Sequence, residues 1–172
     1  MRVNPSLLRA VTTVLSLCTS LLLLLSNLYL VATPAFIRYE YSKSNFPPAN
    51  LYDSTQRLSL AEATLHYLRS NEGVDYLRNL RSEGQTVYDE REIKHLVDVK
   101  VVMHGAFGLH AICAVLCALA LAVSWRSGQW SCALRAVYQG CLTLLLSLIA
   151  IGVLAYANFD LFFVAFHRLF FS

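Results

Sequence analysis

The chain has 172 residues, of which 56% are hydrophobic and only 15% are Asp, Glu, Lys or Arg. Soluble domains carry about 25% charged residues, so this composition excludes an ordinary soluble globule. The 12% aromatic content excludes a disordered chain, and the net charge of +3 is too small to indicate a nucleic acid partner. We therefore expect a membrane protein.

Three stretches of the chain contain no Asp, Glu, Lys or Arg. They comprise 28, 25 and 24 residues and are residues 10–37, 101–125 and 136–159. A helix needs about 20 apolar residues to cross the hydrocarbon core of a membrane, so each stretch is long enough. The fold class predicted is all-α, a polytopic membrane helical bundle with a small helical extracytoplasmic domain. The three spans are predicted near residues 7–33, 99–125 and 134–157.

The placement of the charges predicts the orientation of the chain. Cytoplasmic loops of membrane proteins are rich in Lys and Arg. The N-terminal tail and the loop between the second and third spans each carry two Arg and no acidic residue, whereas ten of the eleven acidic residues lie between Glu40 and Asp98. The N-terminus is therefore predicted to be cytoplasmic. The predicted regions are a tail with the first span (1–37), an extracytoplasmic helical domain (38–98), a second span (99–125), a cytoplasmic loop (126–135), a third span (136–157) and an extracytoplasmic interfacial segment (158–172).

The extracytoplasmic region is predicted to contain a helix that follows a turn at residues 46–50. Ser59 and Glu62 have the spacing of a capping box, in which each side chain accepts a hydrogen bond from a free backbone N–H. Apolar residues then recur at helical spacing as far as Gly73, a predicted C-terminal cap. His66 on this helix is expected at the surface.

Two further helices are predicted before the second span ends. A short one lies between Val74 and Leu80 and ends near Gly84. The cap pattern recurs at residues 89–92, and the helical pattern then continues without a breaker. We therefore expect one long helix over about residues 90–125, which starts outside and enters the membrane.

None of the five cysteines lies between residues 38 and 98, so no disulfide framework is predicted for the extracytoplasmic domain. Cys113 and Cys117 are four residues apart on a predicted helix, which is not a zinc-finger spacing. We expect both to be small apolar packing residues.

The first candidate site is the charged segment 89–100 at the outer entrance of the second span. His95 and Asp98 are three residues apart and share a face of the predicted helix. A carboxylate beside an imidazole can fix its tautomer and raise its basicity, as a general base requires. The alternative is a charged helix entrance among the lipid headgroups, with no chemistry.

The second candidate site is the aromatic segment 159–171, which contains the pair His167 and Arg168. Polar groups in so apolar a run are costly unless they have a partner or a task. The 13 residues are too few to cross the membrane, so we expect the segment to lie in the interface or to dip back. The alternative is an aromatic interfacial anchor with a solvated His167.

Two metal-dependent alternatives are weaker. Haem ligation by His104 and His110 would need facing histidines, which the first and third spans lack, so packed or hydrogen-bonded side chains are expected instead. A zinc site built from His95, Asp98 and His167 is chemically possible, but no zinc-binding spacing supports it.

Both candidate sites match sequence patterns of one protein family. Residues 90–100 (Glu-Arg-Glu-Ile-Lys-His-Leu-Val-Asp-Val-Lys) resemble the ERE-x-x-H-x-x-DVK motif of the bacterial lipoprotein intramolecular transacylase (Lit) family. Residues 166–171 resemble that family's FH-x-x-FF motif, and residues 39–41 (Tyr-Glu-Tyr) also fit. The family pattern continues with a fourth span, so we expect this chain to be a fragment or a natural variant without it.

The resemblance implies an acyl shift within one molecule. The substrates would be diacylated bacterial lipoproteins, whose N-terminal cysteine carries diacylglycerol on sulfur, and the surrounding membrane lipid would be a further partner. The sn-2 acyl chain would move to the α-amine of that cysteine and leave a lyso-form lipoprotein. No nucleotide, metal, acyl-CoA or other cofactor is implied, because donor and acceptor are one molecule.

The resemblance also implies roles for individual residues. His95 and His167 would be the catalytic acid and base, with their imidazoles converging at the floor of an apolar cleft that opens outward. Glu40 would bind the substrate ammonium, and Lys100, Arg168 or backbone N–H groups would stabilise the oxyanion. The supporting or substrate-binding residues are Tyr39, Glu40, Asp98, Lys100 and Arg168.

Two other functions are compatible with the residues alone. One is a non-enzymatic membrane scaffold or sensor whose extracytoplasmic domain binds a partner. The other is a different membrane-bound lipid acyltransferase or hydrolase. An enzyme requires His95 and His167 close together at a lipid-sized cleft, whereas a scaffold does not.

Overall fold

The computed structural model describes residues 4–47 and 52–170 of the chain. Its elements, in chain order, are the helices α1 (Pro5–Val31), α2 (Pro34–Tyr41), α3 (Ser54–Arg69) and α4 (Asp75–Arg78), the strands β1 (Arg81–Ser82) and β2 (Gln85–Thr86), and the helices α5 (Glu90–Arg126), α6 (Trp130–Ala157) and α7 (Phe159–Phe170). The chain divides into two compact units. We call residues 4–27 with 106–170 the membrane unit, and residues 28–47 with 52–105 the small unit.

Three helices are long and apolar enough to cross a membrane. They have 27, 37 and 28 residues and are α1, α5 and α6. The prediction of an all-α membrane protein with three candidate spans is confirmed. The long helix predicted over residues 90–125 is also confirmed, because α5 runs without interruption from Glu90 to Arg126.

Small side chains form the core of the membrane unit. Cys113, Cys117 and Ala120 of α5 pack with Leu15 and Cys18 of α1 and with Ala133 and Ala136 of α6. Small residues at an interface let helix backbones approach closely in a membrane. The expected packing role of Cys113 and Cys117 is confirmed, since both are buried and all five cysteines are free thiols.

The closest approach in the membrane unit is between α1 and α6 at Gly140. A Cβ atom on Gly140 would lie 2.5 Å from the Ser16 carbonyl oxygen and 2.9 Å from the Thr19 Cβ. The Ser20 hydroxyl donates a hydrogen bond of 2.7 Å to the Gly140 carbonyl oxygen. The absence of a side chain at Gly140 therefore permits both the contact and the hydrogen bond.

Two polar pairs fix the register of α1 against α5. The Ser26 hydroxyl lies 3.1 Å from His110 Nε2, and the Thr19 hydroxyl lies 4.0 Å from the Cys117 sulfur. The second pair lies seven residues earlier in α1 and seven residues later in α5, which is the spacing of antiparallel helices two turns apart. The expectation that His110 is hydrogen-bonded is confirmed.

The small unit has its own core, formed where α3, α4 and the start of α5 meet. Tyr67, Leu77 and Ile93 are its buried residues. The predicted short helix is confirmed as α4, which ends earlier than predicted. His66 is exposed, as expected.

The predicted bounds of α3 are wrong at both ends. The helix begins at Ser54 and not at Ser59, because Asp53 and Gln56 form the capping box: the Asp53 carboxylate accepts from the Gln56 N–H at 2.7 Å, and Gln56 Oε1 accepts from the Asp53 N–H at 3.1 Å. It ends at Arg69, before Gly73, because Ser70 has extended backbone angles. The turn predicted at 46–50 stays a prediction, because residues 48–50 lie outside the described range. The bond from the Phe46 N–H to the Lys43 carbonyl closes a different turn, over residues 43–46.

A two-stranded hairpin follows α4 and was not predicted, although the predicted break near Gly84 falls on its turn. The strands pair Arg81 with Thr86 and Ser82 with Gln85. Both turn residues have positive φ, 53° at Glu83 and 80° at Gly84. Positive φ at both central positions matches the right-handed twist of paired strands and favours glycine.

Candidate functional site

The start of α5 places the first predicted site on a fixed helix. The Asp89 carboxylate accepts from the Glu92 N–H at 2.8 Å, and the Glu92 carboxylate accepts from the Asp89 N–H at 2.9 Å. These reciprocal bonds satisfy two donors that a helix start otherwise leaves free. His95, one turn further on, is exposed, and Asp98 is half-buried.

Lys100 is held by the small unit. Its ammonium donates a hydrogen bond of 2.6 Å to the Glu72 carbonyl oxygen and lies 4.1 Å from the centroid of the Tyr67 ring. Burial raises the pKa of the Tyr67 hydroxyl, so the ring stays neutral beside the ammonium. An ammonium has three donors, so the bond to Glu72 leaves chemical capacity for the predicted oxyanion role, which stays a prediction.

His104 lies one turn beyond Lys100 and also contacts the C-terminal end of α3. Its Nε2 atom is 2.9 Å from the Leu68 carbonyl oxygen. A carbonyl oxygen only accepts, so Nε2 carries the proton. The expectation that His104 is hydrogen-bonded is confirmed.

Tyr39 and Glu40 lie on α2, a helix that the sequence analysis missed. Thr33 followed by Pro34 is the sequence signal for the start of α2. The Thr33 hydroxyl accepts a hydrogen bond from the Phe36 N–H, and proline is favoured at the first helical position. The Glu40 carboxylate accepts from the Lys43 ammonium at 2.6 Å, and this hydrogen bond raises the pKa of Lys43.

The same ammonium lies over the ring of Tyr39. The Lys43 Nζ atom is 4.7 Å from that ring centroid. Tyr39 and Glu40, both predicted to support substrate binding, therefore surround one primary ammonium in this structure. Sequence reasoning missed Lys43, although its three-residue spacing from Glu40 is a signal for such a pair.

His167 and Arg168 lie on α7, which belongs to the membrane unit. The Asn158 side chain accepts from the Leu161 N–H at 3.0 Å and so caps the helix start. Phe159, Phe163 and His167 recur every four residues, with ring centroids 6.0 Å and then 4.8 Å apart. His167 is half-buried and Arg168 is exposed, and Phe171, the last residue of the second motif, lies outside the described range.

The predicted site residues thus fall into three groups, one on α2, one on α5 and one on α7. His95, Asp98 and Lys100 share α5, whereas His167 and Arg168 belong to the other unit. The predicted convergence of the two imidazoles stays a prediction. Within residues 4–47 and 52–170, no three His, Cys, Asp or Glu side chains are grouped so that they could hold a metal ion.

A family model described as "Lipoprotein intramolecular transacylase Lit" matches residues 11–172. The chain belongs to the Lit family. The match contains both predicted motifs and all three candidate spans except the first residues of α1.

A curated relative is an uncharacterised protein of Aquifex aeolicus (strain VF5), which is 29% identical over 143 residues. The alignment covers 80% of this chain and 61% of the relative. The chain therefore spans about three fifths of the length of the relative it matches. No solved structure matches the chain.

Proposed function

We propose that the chain carries out lipoprotein intramolecular acyl transfer, moving the sn-2 acyl chain of an S-diacylglyceryl cysteine to the α-amine of the same cysteine. The observation that carries this proposal is the match of nearly the whole chain to the Lit family. The His95–Asp98 spacing on a capped, continuous helix supports it, because it offers a proton-transfer group on a fixed support.

The reaction needs only proton transfers and one bond exchange. The α-ammonium releases a proton to solvent, and the amine nitrogen attacks the ester carbonyl carbon. A tetrahedral intermediate forms, and the bond from that carbon to the glycerol oxygen breaks. The second proton passes from nitrogen to the glycerol oxygen, so the products are an amide and an alcohol and no co-reactant is consumed.

In this proposal the two histidines move the protons. An imidazole titrates near neutral pH and can accept a proton from the amine or give one to the glycerol oxygen. Asp98, three residues after His95, would orient the imidazole. Lys100 and Arg168 are candidate donors to the oxyanion.

Glu40 and Tyr39 are proposed to bind the substrate ammonium. The contacts of Lys43 support this role, because a carboxylate and an aromatic face already surround an ammonium there. Binding of the substrate would require Lys43 to leave Glu40. The arrangement thus provides an ammonium site that Lys43 occupies when substrate is absent.

We further propose that the reaction takes place at the extracytoplasmic face of the cell membrane. The acid-rich residues 40–98 and the basic flanks of the spans support this orientation. The N-terminus would then be cytoplasmic, and the diacylated lipoproteins would be reached from the outer leaflet.

The test is mass spectrometry of a lipoprotein N-terminal peptide from cells with and without this chain. Cells with it should contain the N-acyl, S-monoacylglyceryl form. His95→Ala and His167→Ala should each abolish that form. The double variant should lower the rate of acyl transfer little further than either single variant, because groups that act as a unit are non-additive. His66→Ala, which changes an exposed histidine of α3, is the matched control and should be fully active. Normal lyso-form production by His167→Ala would refute the proposed roles.

A further inference from the structure

The small unit contains a wide-open cavity of about 570 Å³ between α2, α3 and the segment that leads into α5. Ligand pockets typically have volumes of about 300–1,000 Å³, so this one is large enough for a ligand. Its apolar wall is formed mainly by aliphatic side chains, namely Ile37, Leu60, Leu65, Leu68 and Val87. No role was assigned to any of these residues from the sequence.

One part of the wall is polar but uncharged. The Thr64 and Tyr88 hydroxyl groups are 2.6 Å apart, and the rings of Tyr41 and Tyr52 also line the cavity. Burial raises the pKa of the Tyr88 hydroxyl, the hydrogen bond with Thr64 opposes that rise, and the nearby Glu92, Tyr41 and Tyr52 add to it. The Thr64 hydroxyl donates to the Leu60 carbonyl oxygen at 2.7 Å, so the Tyr88 hydroxyl is the donor in its bond with Thr64. Each of the two hydroxyl groups thus has its hydrogen bonded within the protein, and this part of the wall demands no polar partner from a ligand.

The two charged residues of the wall are engaged within the protein. Arg57 donates a hydrogen bond of 2.8 Å to the Pro47 carbonyl oxygen, and its guanidinium carbon lies 5.0 Å from the Phe46 ring centroid. Glu92 caps α5 through the Asp89 N–H. Their charges are opposite, so the wall has no net charge and favours a neutral ligand over an ionic one.

Two residues of the cavity wall connect it to the uncharged stretches of the sequence. Ile37 is the last residue of the uncharged stretch 10–37. Leu68 also lines the cavity, and its carbonyl oxygen is 2.9 Å from Nε2 of His104, which lies inside the uncharged stretch 101–125. The cavity wall therefore includes a residue at the end of the first uncharged stretch and a residue bonded to the second.

We propose that this cavity binds one acyl chain of the diacylglyceryl substrate. The assignment rests on the proposed function, which supplies the substrate. An extended peptide fits less well, because the apolar wall would leave most of its backbone N–H and C=O groups without partners. A phospholipid offers the same aliphatic chemistry but carries an anionic phosphate.

The experiment uses the full chain in phosphatidylglycerol vesicles and a synthetic S-diacylglyceryl cysteinyl lipopeptide whose sn-2 chain carries a photoreactive diazirine. A second sample contains phosphatidylglycerol with the same diazirine chain. Mass spectrometry locates the adducts after irradiation. We expect the lipopeptide to label Leu60, Leu65 and Leu68, with excess unlabelled lipopeptide suppressing the adducts.

Two variants sharpen the result. Leu60→Trp fills the cavity and should eliminate the adducts on α3, whereas Ser59→Trp adds the same side chain at an exposed position of that helix and should leave them. If Leu60→Trp fails to fold, the positions of the adducts on the unmodified chain still test the proposal. Adducts confined to other residues, or equal labelling of this wall by phosphatidylglycerol, would overturn the proposal.

The outcome separates this inference from the proposed function. Labelling of the cavity wall without any N-acyl product would support the binding site and refute the transfer reaction. Formation of the N-acyl product with adducts elsewhere would support the reaction and refute the acyl-chain site.

Discussion

Glu40 shows at the level of one residue how an ammonium is held in this protein. Its carboxylate receives the Lys43 ammonium at 2.6 Å, and the Tyr39 ring provides an aromatic face on the same group. Charge-assisted hydrogen bonds and cation–π contacts are the interactions that bind primary ammonium groups. The substrate proposed here also has a primary ammonium, so Lys43 and the substrate would compete for one carboxylate.

Asp98→Asn is expected to lower the rate of acyl transfer less than His95→Ala does. Asp98 would only orient the imidazole, whereas His95 would transfer the proton itself, and such groups contribute about 10²–10⁴-fold. The measurement is the amount of lyso-form lipoprotein at equal protein levels. A larger loss from Asp98→Asn would reverse the two roles.

At the level of the helices, local signals decided what could be predicted. α5 was predicted well because its cap, Asp89 with Glu92, and its uncharged stretch are contiguous in the sequence. The start of α3 was misplaced because Asp53 with Gln56 and Ser59 with Glu62 have the same spacing, and the sequence alone does not rank them. α2 was missed because it follows the first span after only two residues.

Contacts between helices could not be predicted from the sequence. The bond from Lys100 to the Glu72 carbonyl joins residues 28 positions apart, and no periodicity encodes such a pair. The candidate histidines were found through motifs, but their partners depend on tertiary packing. The cavity of the small unit likewise uses residues from three segments that share no pattern.

Gly140→Ala is expected to destabilise the membrane unit. The added Cβ would lie 2.5 Å from the Ser16 carbonyl oxygen, which is helix backbone, so α1 and α6 would have to separate. Overpacking of this kind costs about 1–3 kcal/mol. Thermal unfolding in detergent checks the prediction.

Gly152→Ala on the same helix is the matched control. Its added Cβ would meet nothing within 4 Å, and alanine is the better helix former. We expect this variant to unfold at the same temperature as the unmodified chain or above it. Equal unfolding temperatures for the two variants would show that the α1–α6 contact at Gly140 contributes nothing.

At the level of the whole molecule, the charge pattern predicts which side of the membrane each loop faces. Ser127→Cys lies in the loop between α5 and α6 and should react with a membrane-impermeant thiol reagent only after the cells are permeabilised. Asn79→Cys, at an exposed position of the small unit, should react in intact cells.

Labelling of the unmodified chain gives the background from the five native cysteines. Reaction of Ser127→Cys in intact cells would invert the topology. The proposed outer-face chemistry would then have to be abandoned.

The length of α5 relates the position of His95 to the thickness of the bilayer. Its 37 residues extend about 55 Å, whereas the hydrocarbon core is about 30 Å thick, so a large part of the helix must stand clear of the hydrocarbon. His95 precedes Val101, the first residue of the uncharged stretch, by six residues, or about 9 Å along the axis. With α5 spanning the bilayer and Val101 at the hydrocarbon boundary, His95 would lie at the outer edge of the headgroup layer, which is about 5–7 Å thick on each side. An imidazole held outside the hydrocarbon could contact ester bonds near the glycerol but not groups deeper along the acyl chains.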